Sequence, residues 1–190
     1  MKRIMPFGVA LAIAFLVQAG LAGWLVADRA LLLRNGREVR LAVVPVDPRD
    51  LLRGDYVVLA YAISRLDSGQ LAGDDAFVEG DAIYVTLAQA DGQTWQATAI
   101  AHARPASGTW IRGTVTDVRT AGQDCTEGCK TYGADYDIEK FFVPEGTGRE
   151  LEKLRNDQHL AVDVALAADG RAALTRLLVD GAPRYEEPLL

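Results

Sequence analysis

The sequence predicts a mainly β domain of the α+β type with one short helix, preceded by a single N-terminal transmembrane helix. The first observation behind this prediction is an uncharged apolar run from Met5 to Ala27. The second is a series of short apolar segments separated by turn dipeptides such as Asp91-Gly92 and Asp169-Gly170. The third is a single clear helix-start signal in the rest of the chain, at Thr147.

The run from Met5 to Ala27 is long enough to cross a membrane. As an α-helix it would extend roughly 34 Å, and the hydrocarbon core of a bilayer is about 30 Å thick. Trp24 near its end suits the interface between lipid and water. Because the run is longer than the apolar region of a secretory signal, we expect an uncleaved anchor, although Leu25-Val26-Ala27 is an acceptable cleavage site.

The domain after the anchor is expected to lie outside the cytoplasm. Lys2 and Arg3 precede the apolar run, as in an export signal, whereas the arginines that follow it favour the opposite orientation under the positive-inside rule. Cys125 and Cys129 are the only cysteines, and they lie close together in a segment that contains glycine. This spacing predicts a local disulfide of the kind that forms in oxidising compartments, and it favours the outward orientation.

Charge and composition exclude several kinds of partner. All 26 acidic residues follow the apolar run, as do 18 of the 20 basic ones (20 minus Lys2 and Arg3), so this part has a formal charge of −8 (18 minus 26). Such an acidic domain is a poor binder of nucleic acid or of a flat anionic lipid surface. His102 and His159 are not spaced as zinc ligands, so neither a metal nor a cofactor is expected.

The chain is predicted to consist of four parts. Residues 1–4 form a cytoplasmic leader, residues 5–27 the transmembrane anchor, residues 28–36 a helical stalk that ends at Asn35-Gly36, and residues 37–190 the β-rich extracytoplasmic domain. Within the domain, one helical turn is predicted over 47–54, an irregular link over 67–80, and the short helix from Thr147. Strands are predicted over 38–44, 56–61, 82–89, 94–103, 110–118, 137–143, 159–168 and 171–179.

Two of these strands have predicted details. In the strand over 94–103, one face is predicted to carry Trp95, Ala97, Ala99 and Ala101. In the strand over 110–118, Gly113 is predicted to mark a β-bulge.

The strand over 56–61 has apolar residues on both faces and is therefore predicted to be central and covered on both sides. Tyr56 and Tyr61 would point to opposite faces, so each is expected in the core or at its rim, and they cannot line one pocket together. Gly54 supplies the turn before the strand. Asp55 is a candidate ligand-binding or acid–base carboxylate, and its structural alternative, which we favour, is a side chain that accepts backbone N–H bonds in that turn.

The segment Glu145-Gly146-Thr147-Gly148-Arg149 is the strongest candidate binding site in the sequence. Gly146 and Gly148 at a helix N-terminus would leave backbone N–H groups free for an anion, and Arg149 would add a bidentate contact. Against this, Thr147 and Glu150 fit a reciprocal capping box, which alone explains the segment. Glu145 is not needed for the cap and remains a candidate functional carboxylate.

Two blocks of the sequence carry a family resemblance. The first is Gly54-Asp55-Tyr56-Val57-Val58-Leu59-Ala60-Tyr61, and the second extends from Tyr132-Gly133 through Phe142-Val143-Pro144 to Glu150. Together they resemble the GDYXXLXY family of membrane-anchored bacterial proteins. In this motif Gly54, Tyr56, Leu59 and Tyr61 are the defining structural positions. The resemblance implies a single-pass protein of the bacterial inner membrane without an assigned activity, and a multi-spanning membrane protein as its partner.

Three functions are compatible with these residues. The first is a non-catalytic periplasmic accessory or binding protein that supports a membrane-protein partner. The second is a membrane-bound hydrolase that uses Asp55, Glu145 or another carboxylate, although no catalytic residue is assigned. The third is recognition of a small anion or a cell-wall fragment at the Gly146–Arg149 turn. We favour the first, with the ligand unknown.

Overall fold

The computed structural model describes residues 7–45, 56–90, 93–120, 129–142 and 160–187. These residues form one long N-terminal helix followed by short antiparallel strands, which confirms a mainly β domain behind an apolar helix. The predicted helical turn over 47–54, the Asp91-Gly92 turn and the short helix from Thr147 lie outside the described residues.

Helix α1 (Phe7–Asn35) is continuous through the predicted anchor and the predicted stalk. It is long and apolar enough to cross a membrane, and its most apolar stretch has no residue buried against the domain. The helix ends where the sequence predicts: the Gly36 N–H donates to the Leu32 carbonyl at 2.9 Å. A side chain at Gly36 would approach that carbonyl and Ala165 within 2.8 Å, so glycine permits the sharp entry into the first strand.

The strands form three sheets. A five-stranded sheet has the order β13-β12-β11-β1-β3, a six-stranded sheet the order β4-β9-β8-β6-β7-β5, and β10 pairs with β2. Neighbouring strands are antiparallel except for β5 and β7. The bounds are β1 Arg37–Val44, β2 Tyr56–Val58, β3 Ala60–Tyr61, β4 Arg65–Asp67, β5 Ala72–Gly73, β6 Ala82–Ala90, β7 Thr94–Ala101, β8 Thr109–Thr120, β9 Lys130–Asp135, β10 Lys140–Phe142, β11 Leu160–Leu166, β12 Ala172–Val179 and β13 Ala182–Glu186, with a 3₁₀ turn over Ala62–Ser64 between β3 and β4.

One hydrophobic core lies between the two large sheets. In β1 the inward residues alternate with partly exposed ones, as expected for a strand with one buried face. The core continues across both sheets without a break, so the described strands share a single interior. Its members on the central strands are Val39, Leu41, Val43, Ile83, Val85, Ile111, Val115, Val162, Val164 and Leu177.

Two predicted strand details are wrong because of bulges. The register of β8 against β9 shifts at Thr116, whereas Gly113 pairs regularly with Ile83. Gly113 instead permits close packing, because a Cβ there would lie 2.9 Å from the Tyr136 ring. In β7 the register against β6 shifts at Thr98. Trp95 and Ala97 therefore pack on the core as predicted, but after the shift the buried residue is Ile100 and not Ala99 or Ala101.

Other predicted strands are confirmed with changed bounds, and four strands, β4, β5, β9 and β13, were not predicted. β4 and β5 lie beside and within the irregular link predicted over 67–80, β9 lies between the strands predicted over 110–118 and 137–143, and β13 follows the last predicted hairpin. β10 begins only at Lys140, because Asp137 has a positive φ of 62° and the backbone turns there.

The end of α1 packs on the outer face of the five-stranded sheet, so residues 28–36 are not a free stalk. Leu32 is 8 % exposed and contacts Ala165 of β11 and Ala173 of β12. The Asp28 carboxylate accepts two hydrogen bonds from the Arg171 guanidinium, at 2.5 and 3.1 Å. The helix and the β11–β12 hairpin therefore hold each other in a fixed arrangement.

On the same face, Asp163 joins three strands through ion pairs. It is 1 % exposed, and it accepts two hydrogen bonds from Arg40 of β1 and one from Arg176 of β12, at 2.7, 3.1 and 3.0 Å. Both arginines lie directly opposite Asp163 in the strand register. Because a shifted register would leave a buried charge unpaired, this cluster specifies the pairing of β1, β11 and β12.

We predict that Gly170→Ala destabilises the protein more than Gly181→Ala. Both glycines have a φ near 80°, so both alanine variants have the left-handed strain of about 1–2 kcal/mol. A Cβ at Gly170 would also overlap the Trp110 ring, whereas nothing lies within 4 Å of a Cβ at Gly181. We expect a further loss of about 1–3 kcal/mol for Gly170→Ala, measured by denaturant unfolding of the full chain in detergent micelles. Equal losses would contradict the packing of this hairpin on β8.

Candidate functional site

The residues of the eight-residue motif form one side of a two-stranded ribbon. β4 pairs with β9 and β2 pairs with β10, both antiparallel. Between the two ladders, one side of the ribbon consists of residues 59–64 and the other of residues 134–139. These segments have the same number of residues, so the strand register is the same in both ladders. Residues 56–67 and 131–142 therefore form one interrupted ribbon that passes from the six-stranded sheet to the edge of the five-stranded sheet.

The prediction of a single central strand over 56–61 is wrong. The strand breaks at Leu59, and β3 pairs with the end of β1 as the edge strand of the five-stranded sheet. Val58 is 42 % exposed, so the strand is not covered on both sides at this position. The predicted alternation is correct on the other face, where Leu59 and Tyr61 are each 1 % exposed.

Two tyrosine hydroxyls bridge the ribbon where its backbone ladder is interrupted. Tyr61 donates to the Ile138 carbonyl at 2.5 Å, and Tyr136 donates to the Ile63 carbonyl at 2.6 Å. The Leu59 N–H donates to the Glu139 carbonyl at 2.7 Å. Burial raises the pKa of both phenols well above the usual range, and Glu139 adds to the effect, so both hydroxyls stay protonated as donors.

Glu139 is the titratable group with the most unusual environment in this ribbon. Its two carboxylate oxygens accept the N–H groups of Tyr136 and Ile138, at 2.8 and 2.9 Å. Burial and then a side-chain hydrogen bond with Asp135 raise the pKa of Glu139 to about 7, although the Tyr136 N–H opposes the rise. Paired carboxylates with a raised pKa are typical of acid–base sites and also of buried turns.

The contacts of Glu139 indicate which of these alternatives applies. Both oxygens are already used to hold the backbone at Asp137, where φ is positive. The Asp137 N–H donates to Asp135 at 2.8 Å in the same turn. The pair therefore fixes the turn that positions Ile138 for Tyr61, and it leaves no carboxylate oxygen of Glu139 free of a backbone partner.

The structure places only part of the predicted site. Leu59 and Tyr61 lie in the core, and Tyr56 begins β2. Cys129 directly precedes β9, whereas its predicted disulfide partner Cys125 lies outside the described residues, so the disulfide stays a prediction. Also outside the described residues are Gly54, Asp55, Glu145, Gly146, Gly148 and Arg149.

The sequence did not single out Asp135, Tyr136 or Glu139. The sequence predicts a strand over 137–143, and this prediction gives Glu139 no role of its own. The signal that could have found the turn is the pair Asp135 and Asp137 around a tyrosine, because aspartates fix local turns through backbone N–H groups.

Another titratable cluster lies on the six-stranded sheet. His102 stacks on Phe77 with ring centroids 3.8 Å apart, and its Nδ1 lies 3.1 Å from Asp74. The His102 backbone N–H and then its ring lower the pKa of the Asp74 carboxyl. Asp81 is 3.8 Å from the other ring nitrogen. Within the described residues no group of three His, Cys, Asp or Glu side chains is arranged to hold a metal ion.

The model of one protein family, described as GDYXXLXY protein, matches residues 18–177, from a point within α1 to Leu177 in β12. The chain belongs to the GDYXXLXY family. Neither the curated proteins nor the solved structures contain a match to this chain. For this GDYXXLXY protein, the roles of Leu59 and Tyr61 in the ribbon give a physical reason for two of the named positions of the motif.

We predict that the GDYXXLXY domain loses stability as the pH rises from 4.5 to about 7. The pKa of Glu139 is about 7 in the fold against an ordinary value of 4.5, so its contribution is complete below pH 4.5 and is lost as the pH rises through 7. The Asp135→Asn variant should reduce this loss by about 1 kcal/mol between pH 4.5 and 8, because it removes the neighbouring carboxylate while burial, the larger cause of the raised pKa, remains.

The measurement is the free energy of unfolding of the full chain in micelles across this pH range. Glu79→Gln is the matched control, because Glu79 is exposed and has no side-chain partner among the described residues. The assignment is wrong if Asp135→Asn and Glu79→Gln leave the same pH dependence as the original chain.

Proposed function

We propose that this chain is a single-pass accessory or binding protein of the bacterial inner membrane, whose periplasmic domain supports a multi-spanning membrane protein. The observation that carries the proposal is that one uninterrupted helix has an exposed apolar part and an end fixed to the domain. In the same proposal Cys125 and Cys129 form a disulfide, which fits the periplasmic side.

The exposed part of α1 has no partner within the described chain. Phe15, Leu16 and Trp24 are 68 %, 68 % and 70 % exposed. Such a surface requires lipid or another apolar surface around it. This supports membrane insertion and leaves room for contact with neighbouring transmembrane helices.

The fixed end of α1 argues for a partner at the membrane. A domain that captures freely diffusing ligands can be held on a flexible tether, but here Leu32 and Asp28 hold the helix against the β11–β12 hairpin. The turn of this hairpin, Asp169-Gly170, therefore keeps one orientation relative to the helix. A constant orientation is what a stable contact with a second membrane protein needs, since preorganisation lowers the cost of association.

The alternative functions have weaker support. Both oxygens of Glu139 bind backbone N–H groups, which disfavours it as a catalytic carboxylate, and the hydrolase candidates Asp55 and Glu145 lie outside the described residues. Binding of a small anion or cell-wall fragment at the Gly146–Arg149 turn stays a prediction, because that turn lies outside the described residues.

Photo-crosslinking in living cells tests the accessory role. A photoreactive amino acid is placed at Leu16 in the apolar part of α1 or at Ala168 in the hairpin, and the adducts are identified by mass spectrometry. We predict that both positions capture the same multi-spanning membrane protein. In a Leu32→Asp background the Ala168 adduct should decrease about tenfold or more, because a charge replaces the buried contact with Ala165 and Ala173.

The matched control is Leu31→Asp, which adds the same charge one residue earlier at a position that is 58 % exposed. It should leave the Ala168 adduct unchanged. The proposal is overturned if neither position captures a membrane protein, or if Leu31→Asp and Leu32→Asp have equal effects.

A further inference from the structure

A polar cleft lies between the end of α1 and the domain. Its volume is about 330 Å³, which is within the range of about 300–1,000 Å³ found for small-ligand sites. The cleft is lined by α1, by β8, by the turn after β9 and by the start of β12. The side chains that matter for its charge are Asp28, Arg29, Arg112, Asp137 and Arg171.

Two of the three arginines in the cleft are available for a ligand. Arg171 is occupied, because it binds Asp28 and also Asp169, at 2.8 Å. Arg29 and Arg112 are exposed, and within the described ranges neither guanidinium forms an ion pair or a side-chain hydrogen bond. An arginine that lines a cleft and has no ion-pair partner is suited to bind a phosphate group through two parallel hydrogen bonds.

The acids in the cleft do not cancel this charge. The lining contains three arginines against two aspartates, Asp28 and Asp137, which gives a formal charge of +1 (3 minus 2), although Arg171 also binds Asp169 beside the cleft. The cleft is therefore locally positive on a domain whose formal charge is strongly negative. Such a local site favours a single bound anion over broad adhesion to an anionic surface.

The position of the cleft along the helix indicates the source of the anion. Asp28 and Arg29 directly follow Ala27, the last residue of the uncharged run. Trp24, which suits the interface, lies one helical turn earlier. A cleft that begins at the first charged residues after a membrane span opens at the level of the lipid headgroups.

We propose that this cleft binds the phosphate group of a membrane phospholipid, with Arg29 and Arg112 as its ligands. The acyl chains of that lipid lie along the exposed apolar surface of α1. The proposal rests on the membrane insertion of α1 in the proposed function and does not require the membrane-protein partner. A bound lipid would fill the gap between helix and domain and fix their arrangement further.

Native mass spectrometry of the full chain, released from nanodiscs of equal phosphatidylglycerol and phosphatidylcholine content, tests this site. We expect retained phosphatidylglycerol on the original chain. In the Arg29→Ala/Arg112→Ala variant, retention should fall about tenfold or more, since hydrogen bonds to a charged group are lost. Arg34→Ala is the matched control, because Arg34 is also an exposed arginine of α1 but does not line the cleft. It should retain the lipid.

The outcomes separate this proposal from the proposed function. Incorporation of every variant into nanodiscs is recorded first, so a failure of α1 to insert is seen independently of lipid retention. Equal lipid loss in Arg34→Ala and the double variant would overturn the site and indicate general charge attraction. If the original chain binds inorganic phosphate but retains no lipid, the lipid is not the source of the anion. If the original chain inserts into nanodiscs but retains no phosphatidylglycerol, the proposal as a whole is overturned.

Discussion

The interrupted ribbon between residues 56–67 and 131–142 is the constraint on which the rest of the domain depends. It is the connection by which the chain passes between the two large sheets, and its central part has no backbone ladder. Two buried phenol hydroxyls replace that ladder by binding the carbonyls of Ile63 and Ile138. Because a buried carbonyl without a donor costs about 1–3 kcal/mol, these two bonds stabilise the crossing between the sheets by about that amount each.

The same arrangement connects the motif to the cleft beside the end of α1. Tyr136, which belongs to the ribbon, also lines the cleft beside Arg29 and Arg112. The turn at Asp137 is fixed by Glu139 and Asp135, and it forms one wall of that cleft. Through the bond from Tyr61 to Ile138, the family motif is therefore connected to the wall of the cleft beside α1, where the lipid is proposed to bind.

Local patterns in the sequence predicted most elements, and long-range contacts account for the rest. The apolar run, the stop at Gly36 and the hairpin at Asp169-Gly170 are local signals, and all three are confirmed. The bulges at Thr98 and Thr116 depend on neighbouring strands and leave no local signal. The break at Leu59 arises because β3 pairs with β1, about twenty residues earlier in the sequence, and the environment of Glu139 depends on the same packing.

The most direct test of this account is the free energy of unfolding of Tyr61→Phe, with Tyr84→Phe as the control, in the full chain in micelles. Each variant removes one hydroxyl and keeps the ring, but the Tyr84 hydroxyl has no hydrogen bond within the described residues. The account predicts a loss of about 1–3 kcal/mol for Tyr61→Phe and less than about 0.5 kcal/mol for Tyr84→Phe. Equal, small losses for both would contradict the role of the Tyr61 hydroxyl in joining the two sheets.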